Sequence, residues 1–362
     1  MDVEKEFCMN GGSSESSYAN NSSLQKRVSD AVRNITMESL QEACLATSAG
    51  SVGVADLGCS SGPNSLSIVR AMIDAVQDSN RKASAPVAEI RVYLNDLPAN
   101  DFSSVFGSLP EFFREIGEGR GDRAFPQVFV AVCAGSFYGR LFPAKSLHFV
   151  HSSNSLHWLS RVPAGVCDEQ GKSINRGSIY LSETTPPPVS QAYLDQFRHD
   201  FRAFLRSRSE EVASGGRMVL ILHARPASDH LHRGETLLWK LLYRSMSILV
   251  SQGEVEEGKL DSYDVPFYAP CEEEMEREVR DEGSFELCRS EMFQVRIQGD
   301  GVSPGTAVAR AVRAIQEGLI RRHFGSAIDF DTLFETYGRM VDEELASEDL
   351  EPYHLLLVLT KK

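Results

Sequence analysis

A short apolar run, Val52–Ala55, ends at Asp56 and leads into the turn Leu57-Gly58-Cys59-Ser60-Ser61-Gly62-Pro63-Asn64. Glycines between a strand and a helix let backbone come close to a ligand. A dinucleotide fold would use G-x-G-x-x-G to seat a pyrophosphate on the helix N-terminus. Here the spacing is G-x-x-x-G, with an acid just ahead of it. A carboxylate there opposes a pyrophosphate and suits a cationic cofactor such as S-adenosylmethionine (SAM). A second acid, Asp96, follows a predicted second strand, Ile90–Leu94, in Asn95-Asp96-Leu97-Pro98. A carboxylate at a strand end can accept two hydrogen bonds from a ribose diol. Alone, such an Asp also reads as a turn former; beside the glycine turn it points to a nucleoside cofactor. A third run, Gln127–Val132, leads to Gly135-Ser136-Phe137-Tyr138-Gly139. Small residues beside aromatics there could flank an adenine or close a tight loop. The pairs His148/His151 and His230/His232 lack a third convincing ligand, so zinc is set aside.

These residues need strands and helices to hold them. The glycine turn precedes Leu66, Ile68, Val69, Met72, Ile73 and Val76, at helical spacing, with Pro63 at the helix entrance. Gln127–Val132, apolar at nearly every position, predicts a parallel strand buried on both faces. Leu147–His151 predicts a fourth strand. Val189–Val212 predicts a long helix stopped at Gly215–Gly216, before a fifth strand at Met218–His223. The alternation predicts a doubly wound α/β sheet. Upstream, Asn10–Ser23 is polar and reads as a flexible loop, and Gln25–Leu45 as one amphipathic surface helix. Beyond Arg225, helices at 237–250, 307–320 and 330–345 predict a cap, while strands at 285–297 and 354–359 return to the sheet. Pro186–Pro188 reads as a rigid extended loop.

The chain has 362 residues, 37 basic and 51 acidic, and a formal charge of -14. Such a surface repels phosphate backbones, which argues against nucleic acid as a partner. Seven cysteines with no two-residue gap between any pair fit a reduced compartment. The start MDVEKEF has no apolar core, so a secretory signal is not expected. No apolar run is long enough for a membrane helix. A cytoplasmic protein is the expectation.

Further motifs occur in order along the chain: Met9-Asn10-Gly11-Gly12, residues 17–25 (SYANNSSLQ), Ala55 through Asn64, Tyr93 through Asp101, Gly135 through Pro143, and residues 152–160 (SSNSLHWLS). With them the chain resembles the SABATH family of plant methyltransferases. These SAM-dependent enzymes methylate salicylic, benzoic, jasmonic and indoleacetic acids, or the nitrogens of xanthine alkaloids. The resemblance implies an α/β fold: a Rossmann-like class I SAM-dependent methyltransferase core carrying a helical cap. The core would comprise residues 26–225 with 285–299 and 350–362. The cap and N-terminal segment would comprise 1–25, 226–284 and 300–349. It also implies a likeness to homodimers.

Carried over residue by residue, the resemblance makes Tyr18, Ser22, Asp56, Gly58, Cys59, Asn64, Asp96, Leu97, Ser136 and Phe137 SAM contacts. Gln25 and Trp158 match the pair that holds the substrate carboxylate, and a Gln amide and an indole are two N–H donors for one carboxylate. Asn154, His157, Trp239, Tyr268, Val312 and Ile315 match other pocket positions. Asn175, Asp261, Tyr263 and Asp264 match a metal-bound form with a structural Mg²⁺, although an acid stands at Asp264 where the family often has Asn. Asn154 and His157 replace the Tyr and Met of salicylate-type pockets. The expected substrate is a small aromatic or phenylpropenoic carboxylic acid: cinnamate, coumarate, benzoate or salicylate. Jasmonate-like or indoleacetate-like acids come second, and a xanthine nitrogen after them. A nicotinamide oxidoreductase lacks its pyrophosphate loop here. A non-catalytic acid-binding protein would have no need of the SAM motifs.

Overall fold

The computed structural model describes residues 7–47, 50–81, 86–118, 125–169, 173–325 and 328–362. The acidic start, residues 1–6, lies outside them. Seven strands form one sheet: β1 (Ser51–Leu57), β2 (Glu89–Asp96), β3 (Gln127–Ala134), β4 (Leu147–Ser153), β5 (Val212–His223), β6 (Phe285–Gln294) and β7 (Tyr353–Lys361). Their order is β3-β2-β1-β4-β5-β7-β6. β1 pairs in parallel with β2, from Ser51↔Glu89 to Leu57↔Asn95, and with β4, from Val54↔Phe149 to Asp56↔His151. β7 runs antiparallel between β5 and β6. The order reverses between β1 and β4. Chains leaving those two strand ends diverge, and a crevice opens there.

The side-chain alternation of the strands feeds two cores. Val54, Val92, Phe149, Val219 and Ile221 pack toward α1 (Ser23–Ala31), α2 (Arg33–Thr47), α3 (Pro63–Asn80) and α4 (Phe102–Gly117). Ala55, Val150, Leu220, Leu222 and Leu357 pack on the other face. That side is covered by α5 (Pro187–Glu211), α6 (Arg233–Ser251), α9 (Pro304–Phe324) and α10 (Phe330–Leu345). Two shorter helices, α7 (Glu257–Asp261) and α8 (Glu272–Glu282), lie between α6 and β6 in the chain.

Several expectations change. The stretch 25–45 is two helices, because Val32 takes φ -116° and ψ 15° between them. Val28 and Val32 are both buried, so the stretch packs on the core and is more than a surface helix. Segment 10–22 is folded: the Asn10 amide donates to the Ala314 carbonyl at 2.8 Å, and Asn21 Nδ2 donates to the Ser17 carbonyl at 2.7 Å. Pro187 and Pro188 occupy the first turn of α5, where a missing N–H costs nothing, so the prolines open a helix and do not form an extended loop. Gly215 and Gly216 lie inside β5, which begins directly after the helix. Gly215 takes φ +78°, and pairing with β4 slips between Leu147↔Val212 and Phe149↔Arg217. β3 is the sheet edge; only Val128 is buried and Phe129 is 46% exposed, so its apolar run is not a doubly buried strand.

Beneath the loop after β3 sits a buried ion pair. Arg208 and Glu211, one helical turn apart at the end of α5, both have fully buried side chains and meet at 2.7 Å. Arg208 donates to the carbonyls of Phe137 (2.9 Å) and Gly139 (2.8 Å), and Glu211 accepts the amides of Leu141 and Phe142. The pair satisfies a stretch of backbone that no strand or helix pairs. Removing Arg208 leaves buried Glu211 with only the partly exposed Arg140, 3.3 Å away, so the cost falls toward the lower end of about 3–5 kcal/mol. Arg208→Met is therefore expected to lower unfolding free energy by about that amount in urea denaturation. Wild-type stability in the variant would remove the pair from its role as support for the loop.

Candidate active site

Three cavities meet at the crevice. The first is lined by Gly58, Ser60, Asp96, Leu97, Ser136 and Phe137. The second is lined by Asp56, Gly58, Cys59, Asn64 and His151. The third, more apolar, is lined by Gln25, Asn154, His157, Trp158, Trp239, Val312 and Ile315. Tyr18 and Asn154 line all three. Thus residues scattered from position 18 to 315 border one continuous site.

The nucleoside-sized end is organised by β2. The Asn95 carbonyl accepts the amides of Gly58 and Cys59, both at 2.9 Å. Its side-chain Nδ2 donates to the carbonyls of Cys133 (2.8 Å) and Gly135 (2.9 Å). One fully buried residue thereby fixes the turn after β1 and the loop after β3. Nothing local in the sequence marks this role, because Asn before Asp reads as turn chemistry. Gly58 takes φ +76°, and a Cβ there would stand 2.1 Å from Ser155 Oγ, so only glycine fits. Asp96 Oδ2 accepts the Ser60 amide and Oδ1 the Leu97 amide, both at 2.7 Å. A carboxylate oxygen has capacity for a second donor, so both remain able to take ribose hydroxyls. Burial pushes the Asp96 carboxyl up to about 6, against the pull of the two amides.

Around the second cavity the assignments divide. Asp56 lies at the end of β1, ahead of the turn proper, and meets His151 Nδ1 at 2.8 Å. Ser22 lines none of the three cavities; its Oγ and carbonyl accept from Asn64 Nδ2 at 2.9 and 3.0 Å. It therefore stands behind Asn64, tying the N-terminal segment to α3. Tyr18 is held neutral by burial, with the charges of Asp96 and Asp56 adding to the rise of its phenol.

In the third cavity, Gln25 Oε1 is buried without a partner. Trp158 is oriented by its backbone: its carbonyl accepts Tyr138 Oη at 2.6 Å, and it bridges antiparallel to Phe267. Alternation along that bridge decides the neighbours. Phe267 faces the cavity, 5.4 Å from the Trp158 ring. Tyr268 turns away: it is fully buried and its Oη donates to Glu274 at 3.1 Å. The expectation of Tyr268 as a pocket residue is corrected to Phe267. Asn154 occupies the left-handed region at φ +57°, which Asn tolerates, and its Nδ2 points at the Gln25 carbonyl at 3.4 Å. His157 Nδ1 accepts the His223 amide at 3.2 Å, and burial holds its pKa well below the usual value. The ring is neutral, with its proton on Nε2. Arg296 also borders this cavity, with its guanidinium paired to Asp349 at 2.7 Å.

Of the residues matched to a Mg²⁺ form, Asp261 ends α7, and Asn175, Tyr263 and Asp264 are engaged with protein partners. Asn175 Nδ2 donates to Asp264 Oδ1 at 3.0 Å, and Asn175 Oδ1 accepts from Thr185. Tyr263 Oη donates to Gln316 at 2.8 Å. Burial raises the Asp264 carboxyl to about 7, with the Asn175 hydrogen bond pulling the other way. This set is satisfied by itself and does not fit a divalent ion. Among the described residues no three His, Cys, Asp or Glu side chains group to hold a metal, and no helix is long and apolar enough to cross a membrane.

A parallel sheet closed by an antiparallel pair, with acids ending its first two strands at the switch point, is the architecture of a SAM-dependent methyltransferase. The family model described as SAM dependent carboxyl methyltransferase matches residues 4–362. Over the full length of both chains, the protein is 42% identical to "Probable jasmonic acid carboxyl methyltransferase 1" of Theobroma cacao. It is 38% identical to "Salicylate carboxymethyltransferase" of Clarkia breweri, covering 100% of this chain and 98% of that one. The solved structure "Loganic acid methyltransferase with SAH" superposes with a TM-score of 0.85 at 33% identity, covering 98% of each chain. The chain belongs to the SAM-dependent carboxyl methyltransferase family, the SABATH enzymes. The nucleoside end fits that cofactor: Asp96 keeps acceptor capacity, and the buried Ser60 Oγ has no partner in the protein. If Asp96 holds the ribose as its ionised form, SAM affinity falls as pH drops through about 6. Loss of the ionised form makes binding up to roughly tenfold weaker at pH 5 than at pH 7. Calorimetry across that range should show the fall in the wild type and not in Asp96→Asn; a flat wild-type profile would remove the ribose assignment.

Proposed function

We propose that the enzyme methylates the carboxylate of a small aromatic or phenylpropenoic acid, such as cinnamate, coumarate, benzoate or salicylate, to its methyl ester. The observation that carries this reading is that Gln25 and Trp158 line the same cavity. Their side chains border the acid cavity and make no hydrogen bond with the protein among the described residues. Trp239 and Phe267, 6.3 and 5.4 Å from the Trp158 ring, supply aromatic walls for a flat acid. A jasmonate-like acid is the second reading, favoured by the name of the 42% identical relative.

When bound, SAM supplies an electrophilic methyl group, and the S–C bond electrons stay on sulfur as the ester C–O bond forms. The carboxylate is already ionised near neutral pH, so the protein need supply no general base. Gln25 and Trp158 offer neutral donors, which orient a carboxylate without quenching it as a guanidinium would. Tyr18 and Asn154, which border all three cavities, hold the boundary between donor and acceptor. Fixing the two reactants in line can supply several kcal/mol of the barrier reduction. The ester is uncharged and leaves a site built around a carboxylate.

Trp158→Phe and Gln25→Leu are expected to lower kcat/KM for carboxyl methylation by about 10²-fold or more. Calorimetric SAM affinity should stay at the wild-type value. Lost SAM affinity in either variant, or undiminished turnover, would overturn the assignment. A panel of the four acids, jasmonate, indoleacetate and a xanthine with labelled SAM ranks the substrates. We further read the enzyme as a cytoplasmic homodimer. Its seven thiols are all free, which suits a reducing compartment. The exposed Phe129 on edge strand β3 is apolar surface that a second copy could cover. Light scattering at micromolar concentration should give about 80 kDa, twice the 40.0 kDa chain. A monomer mass would overturn the dimer.

A further inference from the structure

The acid cavity has a polar end with no counterpart in the carboxylate chemistry above. A row of rings leads to it from Trp158. His157 lies 5.5 Å from Trp158, His223 lies 4.9 Å from His157, and His354 lies 4.5 Å from His223. Glu235 stands beside them, its Oε2 3.7 Å from His223 Nδ1. It lies one turn before Trp239 on α6, on the same helix face. Its side chain is 4% exposed, yet Oε1 has no hydrogen-bond partner. His223 Nδ1 is likewise buried without a partner, and the His354 ring, held on one side by the Pro352 backbone, lies beside it. All four residues line the acid cavity.

A Glu in the first turn of a helix normally faces solvent and complements the helix dipole. Glu235 is turned inward instead. Burial raises its carboxyl to about 8, the Tyr353 backbone and Arg225 pulling it back. A neutral carboxyl offers one O–H donor and one carbonyl acceptor, and neutral imidazoles offer the same pair. An aliphatic or unsubstituted aromatic acid would leave these groups unpaired. A hydroxyl both donates and accepts, and would satisfy them.

We propose that Glu235, with His223 and His354, binds a hydroxyl group of the substrate remote from its carboxylate, so that the acid taken is a hydroxy acid. This rests on the carboxyl-methylation reading and narrows it. Within the acids proposed above it favours hydroxylated members over unsubstituted ones. Glu235 is a specificity residue that touches substrate away from the reacting atoms.

The test uses two matched pairs, benzoate with 4-hydroxybenzoate and cinnamate with 4-coumarate, and a cyclic keto acid. The wild type should prefer the hydroxylated member of at least one pair by about tenfold or more in kcat/KM, chiefly through KM. Glu235→Leu should abolish that preference while calorimetric SAM affinity stays unchanged, which also shows that the variant is folded. Glu235→Gln keeps a donor and an acceptor and should retain part of the preference. Equal turnover within both pairs, or a preference that survives in Glu235→Leu, overturns the hydroxyl assignment alone. Preference for the keto acid over every hydroxy acid overturns it too. An absence of ester from any acid overturns the carboxyl reading, and this one with it.

Discussion

Everything at the crevice depends on how the end of β2 is held. Asn95 has no solvent contact, and it hydrogen-bonds toward both neighbouring strands at once. Its carbonyl fixes Gly58 and Cys59, and its side chain fixes Cys133 and Gly135. Parallel strands end in divergent loops that the ladder no longer pairs, so buried backbone there needs partners from elsewhere. A side-chain amide bonded to two carbonyls provides them. With the turn and loop fixed, the next residue, Asp96, faces the cavity with acceptor capacity to spare.

The same logic recurs one layer out. The Phe137–Phe142 loop belongs to no element, yet Arg208 and Glu211 of α5 meet its carbonyls and amides from below. The N-terminal segment belongs to no long element either, and the Asn64–Ser22 contacts and its bond to Ala314 hold it over the site. The chain is also pinned where it leaves β5. Arg225, just after β5, reaches Glu274 at 2.5 Å and the carbonyl of Ala269. Buried polar groups in this molecule fix loops, while apolar burial fixes the elements that carry them.

The sequence made the sheet and its turn readable because both rest on short-range pattern. Val52–Ala55, Ile90–Leu94 and Met218–His223 are short, mostly apolar stretches beside glycines or acids, and each falls within a strand. Asp56 and Asp96 were readable as candidates for the same reason, since they sit near strand ends, whereas Tyr18, Ser22 and Asn64 lie on no strand and came only from the family resemblance. What escaped was decided by partners far along the chain. Gln127–Val132 looks like an interior strand until the order places it at the edge, with nothing beyond. Whether Phe267 or Tyr268 enters the pocket depends on its bridge to Trp158, more than a hundred residues earlier. Nothing near Glu235 in sequence marks it as buried; α6 must first be laid on the sheet. The break at Val32 was equally hidden, because its apolar spacing continues the helical period across it.

The cavity walls are divided unevenly between the two ligands. Tyr18 and Asn154 border all three cavities, whereas His157, Trp239, Val312 and Ile315 border only the acid cavity. Trp239 sits on α6, Val312 and Ile315 on α9 and His157 in the loop after β4. Substitutions at those four positions leave the walls of the first two cavities unchanged. A change at Tyr18 or Asn154 reaches all three cavities at once, whereas one at Trp239, Val312 or Ile315 reshapes a single cavity.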